Sequence, residues 1–324
     1  MAFVVQVSRT GGPEVLQLEP VSEKEPGPGE VWLEQDAAGV NFLDVMQRNG
    51  AAALSLPSGL GLEGAGRVAA LGAGVANVCL GDRVVYATGP IGSYATGRLY
   101  PAERLVRIPE GLTATDAAAV LFKGITAQYL IKTTYPVGLG TVMLLYGAAG
   151  GVGQIMTTWA KHLGAFVIGV VSREASVETA RSLGCDAVLV WGASDIPTDI
   201  LRITGGKKAD VVYDPIGRET FAASLDSLRP RGLFVSFGAS SGAPPAVEVG
   251  TLNVKGSLFL TRPSIAAHTA DAAEYRERAE DVLAAVAAGI VKPSIWQTYP
   301  LSDVSEAHAA LEQGKSKGAI VLTP

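Results

Sequence analysis

The chain has 324 residues, 26 basic and 31 acidic, for a net charge of -5. That length suggests two domains of ordinary size, and 48% hydrophobic residues provide a sizeable core, which excludes long disorder. The acidic balance argues against nucleic-acid or polybasic membrane-surface partners, and two cysteines with three histidines exclude a disulfide scaffold and a four-cysteine zinc site.

The N-terminus lacks a charged segment followed by an apolar run, so no signal peptide is expected. No apolar run is long enough for a transmembrane helix, and a reducing cytoplasm is the expected setting.

In chain order, the first 120 or so residues read as short strands broken by turns. Phe3–Val7, Glu30–Gln35, Gly66–Gly72 and Asp82–Ala87 are predicted strands, punctuated by Gly11-Gly12-Pro13, Pro26-Gly27-Pro28-Gly29 and Gly72-Ala73-Gly74. Such spacing suggests a small barrel or sandwich. The middle differs. Thr141–Tyr146 and Phe166–Val171 are continuous apolar runs, as in strands buried on both faces. Ala187–Val190, Ala209–Tyr213 and Gly232–Phe237 continue the series, with helical patterns between most of them. Alternating strands and helices predict a parallel, doubly wound α/β sheet. In the tail, Ala272–Ala288 and Val304–Glu312 are predicted helices. Ala319–Leu322 is a last strand, able to return to the N-terminal region.

The turn after the first buried strand, Gly147-Ala148-Ala149-Gly150-Gly151-Val152-Gly153, gives A-x-G-x-x-G, with Ala148 in place of the first fingerprint glycine. Gly150 lets the backbone approach a pyrophosphate, and Gly153 lets helix pack on strand. The helix N-terminus presents unpaired N–H groups to phosphate. Ala149, Gly150, Gly151, Val152 and Gly153 are therefore candidate cofactor residues. Cofactor choice is read about 20 residues further on. There stand Ser172 and Arg173, a hydroxyl and a cation suited to a 2′-phosphate, so NADPH is expected over NADH. Glu174, one position on, is the competing acid.

Several further segments carry a family resemblance. They are Val40-Asn41-Phe42-Leu43-Asp44, Pro57-Ser58-Gly59-Leu60-Gly61-Leu62-Glu63-Gly64, Phe122-Lys123-Gly124-Ile125-Thr126-Ala127, Asp210–Asp214 and Lys255-Gly256-Ser257-Leu258. With the glycine turn they resemble the zeta-crystallin-type NADPH:quinone oxidoreductases, the zinc-lacking branch of the medium-chain dehydrogenase/reductase superfamily. Where the zinc enzymes carry a histidine ligand, this chain has Leu62, so no metal is expected.

The resemblance covers essentially the whole chain. It implies a GroES-like β-barrel catalytic domain, 1–123 plus 263–324, and a Rossmann domain, 124–262. It also implies a homodimer joined through the strand near Ser257–Leu260. It places Asn41 near the nicotinamide as a donor to a developing oxyanion. Asp44 orders that loop, and Lys123 and Thr126 sit on a helix beside the nicotinamide. It places Ser176, Trp191, Gly217, Phe237, Gly238, Ser240, Thr261, Arg262 and Lys317 around the cofactor, with an interdomain salt bridge as the competing role for Arg262. Relatives carry tyrosines near Met46 and Ala52, so the acceptor pocket here should be wider and less polar.

The implied activity is metal-free reduction of a quinone-like small molecule by NADPH. The alternatives are an enone or alkenal double-bond reductase and a non-catalytic NADPH-binding protein. Cys79 and Cys185 read as small buried hydrophobes, and His162 and His308 as structural or solvated.

Overall fold

A computed structural model describes residues 2–324. These divide into two compact units: residues up to Ile125 with Thr269–Pro324, and Thr126–His268. The second junction lies a few residues beyond 262/263. The short helix Ile265–His268 falls in the second unit, where the His268 ring stacks on Tyr129 at 4.3 Å.

The first unit is built mostly from antiparallel strands, the exception being Ile295–Pro300, which runs parallel to Ala319–Thr323. Ala2–Val7 pairs with Leu16–Val21 and with the short Ser58–Gly59. A seven-stranded sheet runs Ile295–Pro300, Ala319–Thr323, Glu30–Val40, Glu63–Leu71, Arg83–Ala87, Val106–Arg107, with Gly97–Pro101 also paired to Glu30–Val40. The terminal strand does return: Ile320 faces Val40 and Leu322 faces Ala38. Inward side chains form two clusters, one around Val31, Leu33, Tyr86 and Tyr100, the other around Val5, Val7, Val40, Leu60, Tyr94 and Ile320.

Helix α1 (Phe42–Asn49) follows the long Glu30–Val40 strand directly. Periodicity did not announce it, because it is short, but its ends carry signals. Asn41 is its N-cap, in extended backbone, and Asp44 at N3 accepts from the Asn41 N–H. Gly50 closes it in the left-handed region at φ 87°. Helix α2 (Ala114–Tyr129) contains the first junction and brings Lys123 to the end of the Glu30–Val40 strand.

In the second unit six parallel strands line up in the order β3-β2-β1-β4-β5-β6. They are β1 (Val142–Tyr146), β2 (Phe166–Val171), β3 (Ala187–Val190), β4 (Ala209–Asp214), β5 (Leu228–Ser236) and β6 (Phe259–Thr261). The central three come from the most apolar runs, with Met143, Leu144, Leu145, Ile168, Val211 and Val212 fully buried. The order reverses between β1 and β4, and α3 (Gly151–His162) starts there, after β1. Such a switch point is where doubly wound sheets bind ligands.

Cys79 is exposed rather than buried, because it sits in the turn before Arg83–Ala87, its N–H held by Asp82. Cys185 is half-buried and, like Cys79, free. Among the described residues no helix is long and apolar enough to cross a membrane.

Candidate active site

Three segments of the first unit converge on one buried polar cluster. Asn41 ends the Glu30–Val40 strand, Glu63 opens its neighbour, and Lys123 comes from α2. Lys123 Nζ donates to Asn41 Oδ1 at 2.8 Å and to the Val40 carbonyl at 3.3 Å. Asn41 Nδ2 donates to Glu63 Oε2 at 3.0 Å, and Phe122 N–H donates to Glu63 Oε1 at 2.6 Å. The Lys123 ammonium stands 3.6 Å from the same carboxylate. Burial raises the Glu63 carboxyl, against the lowering pull of Lys123, Asn41 and Phe122. Gly39 makes room for this: a Cβ there would lie 2.2 Å from the Ala118 carbonyl and 2.3 Å from Glu63 Oε2. Chemically, the cluster is an amide donor and an ammonium fixed by one carboxylate.

Asp44 lies beside it, fully buried, and accepts from Asn41 N–H and from Tyr94 Oη, both at 2.8 Å. Its role is thus to hold the Asn41 turn, and its Oδ1 has no protein partner. Tyr94 Oη also contacts His308 Nε2 at 3.1 Å. The phenol spends its proton on Asp44, so Nε2 carries the imidazole proton. Burial pushes the Asp44 carboxyl up to about 7, and burial with the Arg48 guanidinium holds His308 down at about 3.

These two groups act oppositely on stability. Asp44 is harder to ionise folded than unfolded, so it costs stability above its folded value of about 7. That cost fades as pH falls toward the unfolded value of about 4. His308 stabilises the fold above the unfolded value of about 6.5 and loses this as pH falls toward 3. Asp44→Asn keeps an acceptor for Asn41 N–H and Tyr94 and removes the ionisable group. It is expected to raise the melting temperature, relative to wild type, more at about pH 8 than at about pH 5. Melting curves at both pH values check this; a larger gain at the lower pH contradicts it.

The second unit holds the glycine turn where β1 meets α3. Gly147 is left-handed, at φ 70°, and Gly150 is the N-cap of α3. Gly150 N–H donates to the Gly147 carbonyl at 2.8 Å. A Cβ on Gly153 would lie 2.1 Å from the Gly147 carbonyl oxygen and 2.9 Å from Ala148 Cα. A Cβ on Gly150 would meet just that carbonyl, at 3.2 Å. Gly153 is thus required by packing, while the face over Gly150 is open, as the approach of a pyrophosphate demands. Ala149, Gly151 and Val152 complete the turn. The site fits a dinucleotide.

The other expected cofactor residues of this unit lie at strand C-termini. Ser172 and Arg173 follow β2, exposed, with Glu174 next to them and Ser176 closing the short 3-10 turn they begin. Trp191 follows β3, its ring edge-on to Tyr146 at 6.0 Å. Gly217 follows β4 at φ 96°, and Phe237, Gly238 and Ser240 follow β5. Arg262, after Thr261 of β6, donates to Ser236 Oγ and the Gly238 carbonyl. Both of these partners lie in its own unit. Lys317 is exposed in the first unit, before the last strand, and Thr126 stands one residue past the junction, buried in α2. Met46 and Ala52 are half-buried neighbours in the first unit, Ala52 N–H donating to the Met46 carbonyl.

The sequence alone assigns no role to two residues of these sites. Glu63 is one. The other is Asp214, fully buried at the end of β4, whose carboxylate accepts from the Ile216 and Gly217 N–H groups and the Thr220 and Ser224 hydroxyls. It shapes the loop that bears Gly217. The available signal was an acid ending a buried strand before Pro215-Ile216-Gly217.

Among the described residues no group of three or more His, Cys, Asp or Glu side chains could hold a metal ion. The donor set does not fit zinc.

Comparison with known proteins gives one family-model match within the first unit and one that begins in the second and runs past its end at His268. Residues 27–110 match the family model described as alcohol dehydrogenase GroES-like domain, and residues 151–285 that described as zinc-binding dehydrogenase. The chain is 40% identical to a quinone oxidoreductase of Pseudomonas aeruginosa over the full length of both. It is 41% identical to a 2-haloacrylate reductase of a Burkholderia species, covering 100% of this chain and 99% of the other. Its fold matches the crystal structure of Escherichia coli quinone oxidoreductase complexed with NADPH at a TM-score of 0.96, with 40% identity, covering 99% of this chain and 100% of the other. The fold class is the expected one, a doubly wound parallel sheet with a GroES-like domain.

Proposed function

The chain belongs to the quinone oxidoreductases of the medium-chain dehydrogenase/reductase superfamily, and from that premise we propose that it reduces quinones with NADPH, without a metal. The observation that carries this reading is the donor set at Asn41: an amide N–H and a lysine cation held together by Glu63. A quinone is already electrophilic, so it needs charge stabilisation at its oxygen rather than a Lewis acid at its carbonyl.

Bound NADPH would supply the hydride. The turn from Gly150 to Gly153 offers backbone N–H groups and the α3 terminus to the pyrophosphate. Ser172 and Arg173 receive the 2′-phosphate, Arg173 with the geometry to bind it bidentately. Trp191 and the loops from β4 and β5 flank the remainder. Asn41 donates to the oxyanion that develops on the acceptor, and Lys123 adds positive charge behind it. Thr126, from α2, binds the carboxamide. Lys317 and Arg262 have supporting roles toward the cofactor.

The test is cofactor oxidation, followed by absorbance, with NADPH and NADH and with quinones, enones and no acceptor. Quinone turnover with a higher kcat/KM for NADPH is expected. An NADH preference overturns the 2′-phosphate assignment, and no turnover with any acceptor overturns the enzyme. A second reading is reduction of an activated C=C bond. It is supported by the similarity to a 2-haloacrylate reductase, while the absence of a tyrosine proton donor at positions 46 and 52 weighs against it. Faster turnover of enones than quinones selects it.

The same reading makes the protein a homodimer in the cytoplasm. Strand β6 is a sheet edge bearing Phe259, 61% exposed, with Val249 and Val254 more exposed still. Such an apolar edge invites pairing with a second copy. Two free thiols suit a reducing compartment. Phe259→Glu is expected to convert the dimer to monomer, as read by light scattering after size exclusion. A monomeric wild type contradicts the assignment.

A further inference from the structure

Glu63 is among the most enclosed charges of the first unit, as buried as Asp44. Its side chain is 0% exposed. It holds three partners from two segments: the Asn41 amide, and the Phe122 backbone N–H and Lys123 ammonium of α2. Burying a carboxylate is costly unless its oxygens are satisfied and its charge is countered. Both conditions are met here, and a glycine at 39 clears the space.

An asparagine amide can be flipped, and the flip exchanges a donor for an acceptor. Here the two neighbours forbid the exchange. As a carboxylate, with the Lys123 ammonium 3.6 Å away, Glu63 accepts and does not donate, so it fixes Nδ2 on its side. Lys123 can donate and cannot accept, so it fixes Oδ1 on its own. Nδ2 carries two protons, and Glu63 takes one. The second is left for the acceptor's oxygen.

We propose that Glu63 is the positioning residue of this site: it sets the orientation of the Asn41 amide, directly and through Lys123, so that one N–H is presented to the acceptor. The proposal rests on Asn41 as the oxyanion donor. It predicts that Glu63 acts through Asn41 and not by general support of the fold.

A double-mutant cycle on the full-length protein tests this. Glu63→Gln can place an N–H where Asn41 Nδ2 needs an acceptor, and it leaves Lys123 without a countercharge. It is expected to lower kcat by about tenfold, in keeping with the large cost of small misplacements at a reacting centre. NADPH affinity, read by fluorescence titration, should not change. On an Asn41→Ala background, Glu63→Gln should add no further loss. A kcat unchanged in Glu63→Gln, or losses that multiply in the double variant, overturns the proposal.

The second measurement uses the wild-type protein and needs neither a variant that folds poorly nor any turnover. The Asn41 side-chain amide is assigned in a nitrogen–proton correlation spectrum by its loss in Asn41→Asp. One proton signal shifted downfield of the pair given by solvated asparagines, and slow to exchange, supports the carboxylate bond. Both protons at the ordinary positions and exchanging rapidly overturn it. If that signature is present and no quinone is reduced, the proposed function fails while the orientation of Asn41 by Glu63 stands.

Discussion

Asn41→Ala is expected to lower kcat for quinone reduction by roughly 10²–10³-fold, the usual cost of removing one preorganised oxyanion donor. The KM for NADPH should change little, since the partner assigned to Asn41 is the oxygen of the acceptor and not the cofactor. The size of the effect follows from the surroundings. Asn41 is 4% exposed, and its amide is already oriented by Glu63 and Lys123 before an acceptor arrives. A donor held in place in a dry site pays no reorganisation as charge develops. Alanine also strips Lys123 and Glu63 of a shared partner, so a loss of stability should accompany the loss of rate. Steady-state kinetics and a melting curve separate the two. A variant that melts lower but keeps its kcat shows that Asn41 supports the fold and not the reaction.

Gly153→Ala is expected to be the most damaging single methyl in the second unit. The added Cβ would stand 2.1 Å from the Gly147 carbonyl oxygen and 2.9 Å from Ala148 Cα, both backbone atoms. Neither can swing aside as a side-chain end would, so α3 must lift from β1. Overpacking of this kind costs about 3 kcal/mol. It also moves the helix N-terminus that receives the pyrophosphate, so NADPH binding should fall with stability. Gly150→Ala is the control. Its Cβ meets just the Gly147 carbonyl, at 3.2 Å, so the fold should survive. The methyl would instead occupy the open face where a phosphate approaches. Stability by melting and NADPH affinity by titration are expected to fall together in Gly153→Ala and to part in Gly150→Ala. If Gly150→Ala binds NADPH as wild type does, the turn is a packing feature and the cofactor lies elsewhere.

The two units were unequally legible. In the second, runs such as Phe166–Val171 and Ala187–Val190 marked strands to the residue, because strands buried on both faces must be apolar throughout. Strand β6 shows the limit: three residues at an exposed edge carry no such run, and only the resemblance pointed to it. In the first unit the strands were partly visible, but α1 was not. Its eight residues are too short for periodicity, and its caps, Asn41, Asp44 and Gly50, are the real signal. The glycine turn was readable because its chemistry is local. The cluster of Glu63, Asn41 and Lys123 was not, because its members lie 22 and 82 residues from Asn41 in the chain and meet only through strand pairing and the packing of α2. Asp214 was partly legible. An acid ending a buried strand before Pro215-Ile216-Gly217 is a signal, but the four groups it accepts from come together only in the folded loop.

The central claim is hydride delivery to a quinone by an enzyme whose acceptor site relies on Asn41 and Lys123 rather than on a metal. It is tested most directly by treating the protein with a strong chelator and measuring quinone reduction with NADPH that carries deuterium at the transferring position. The account predicts full activity after chelation and a primary isotope effect on the rate of the chemical step. Activity lost on chelation and restored by zinc would contradict it.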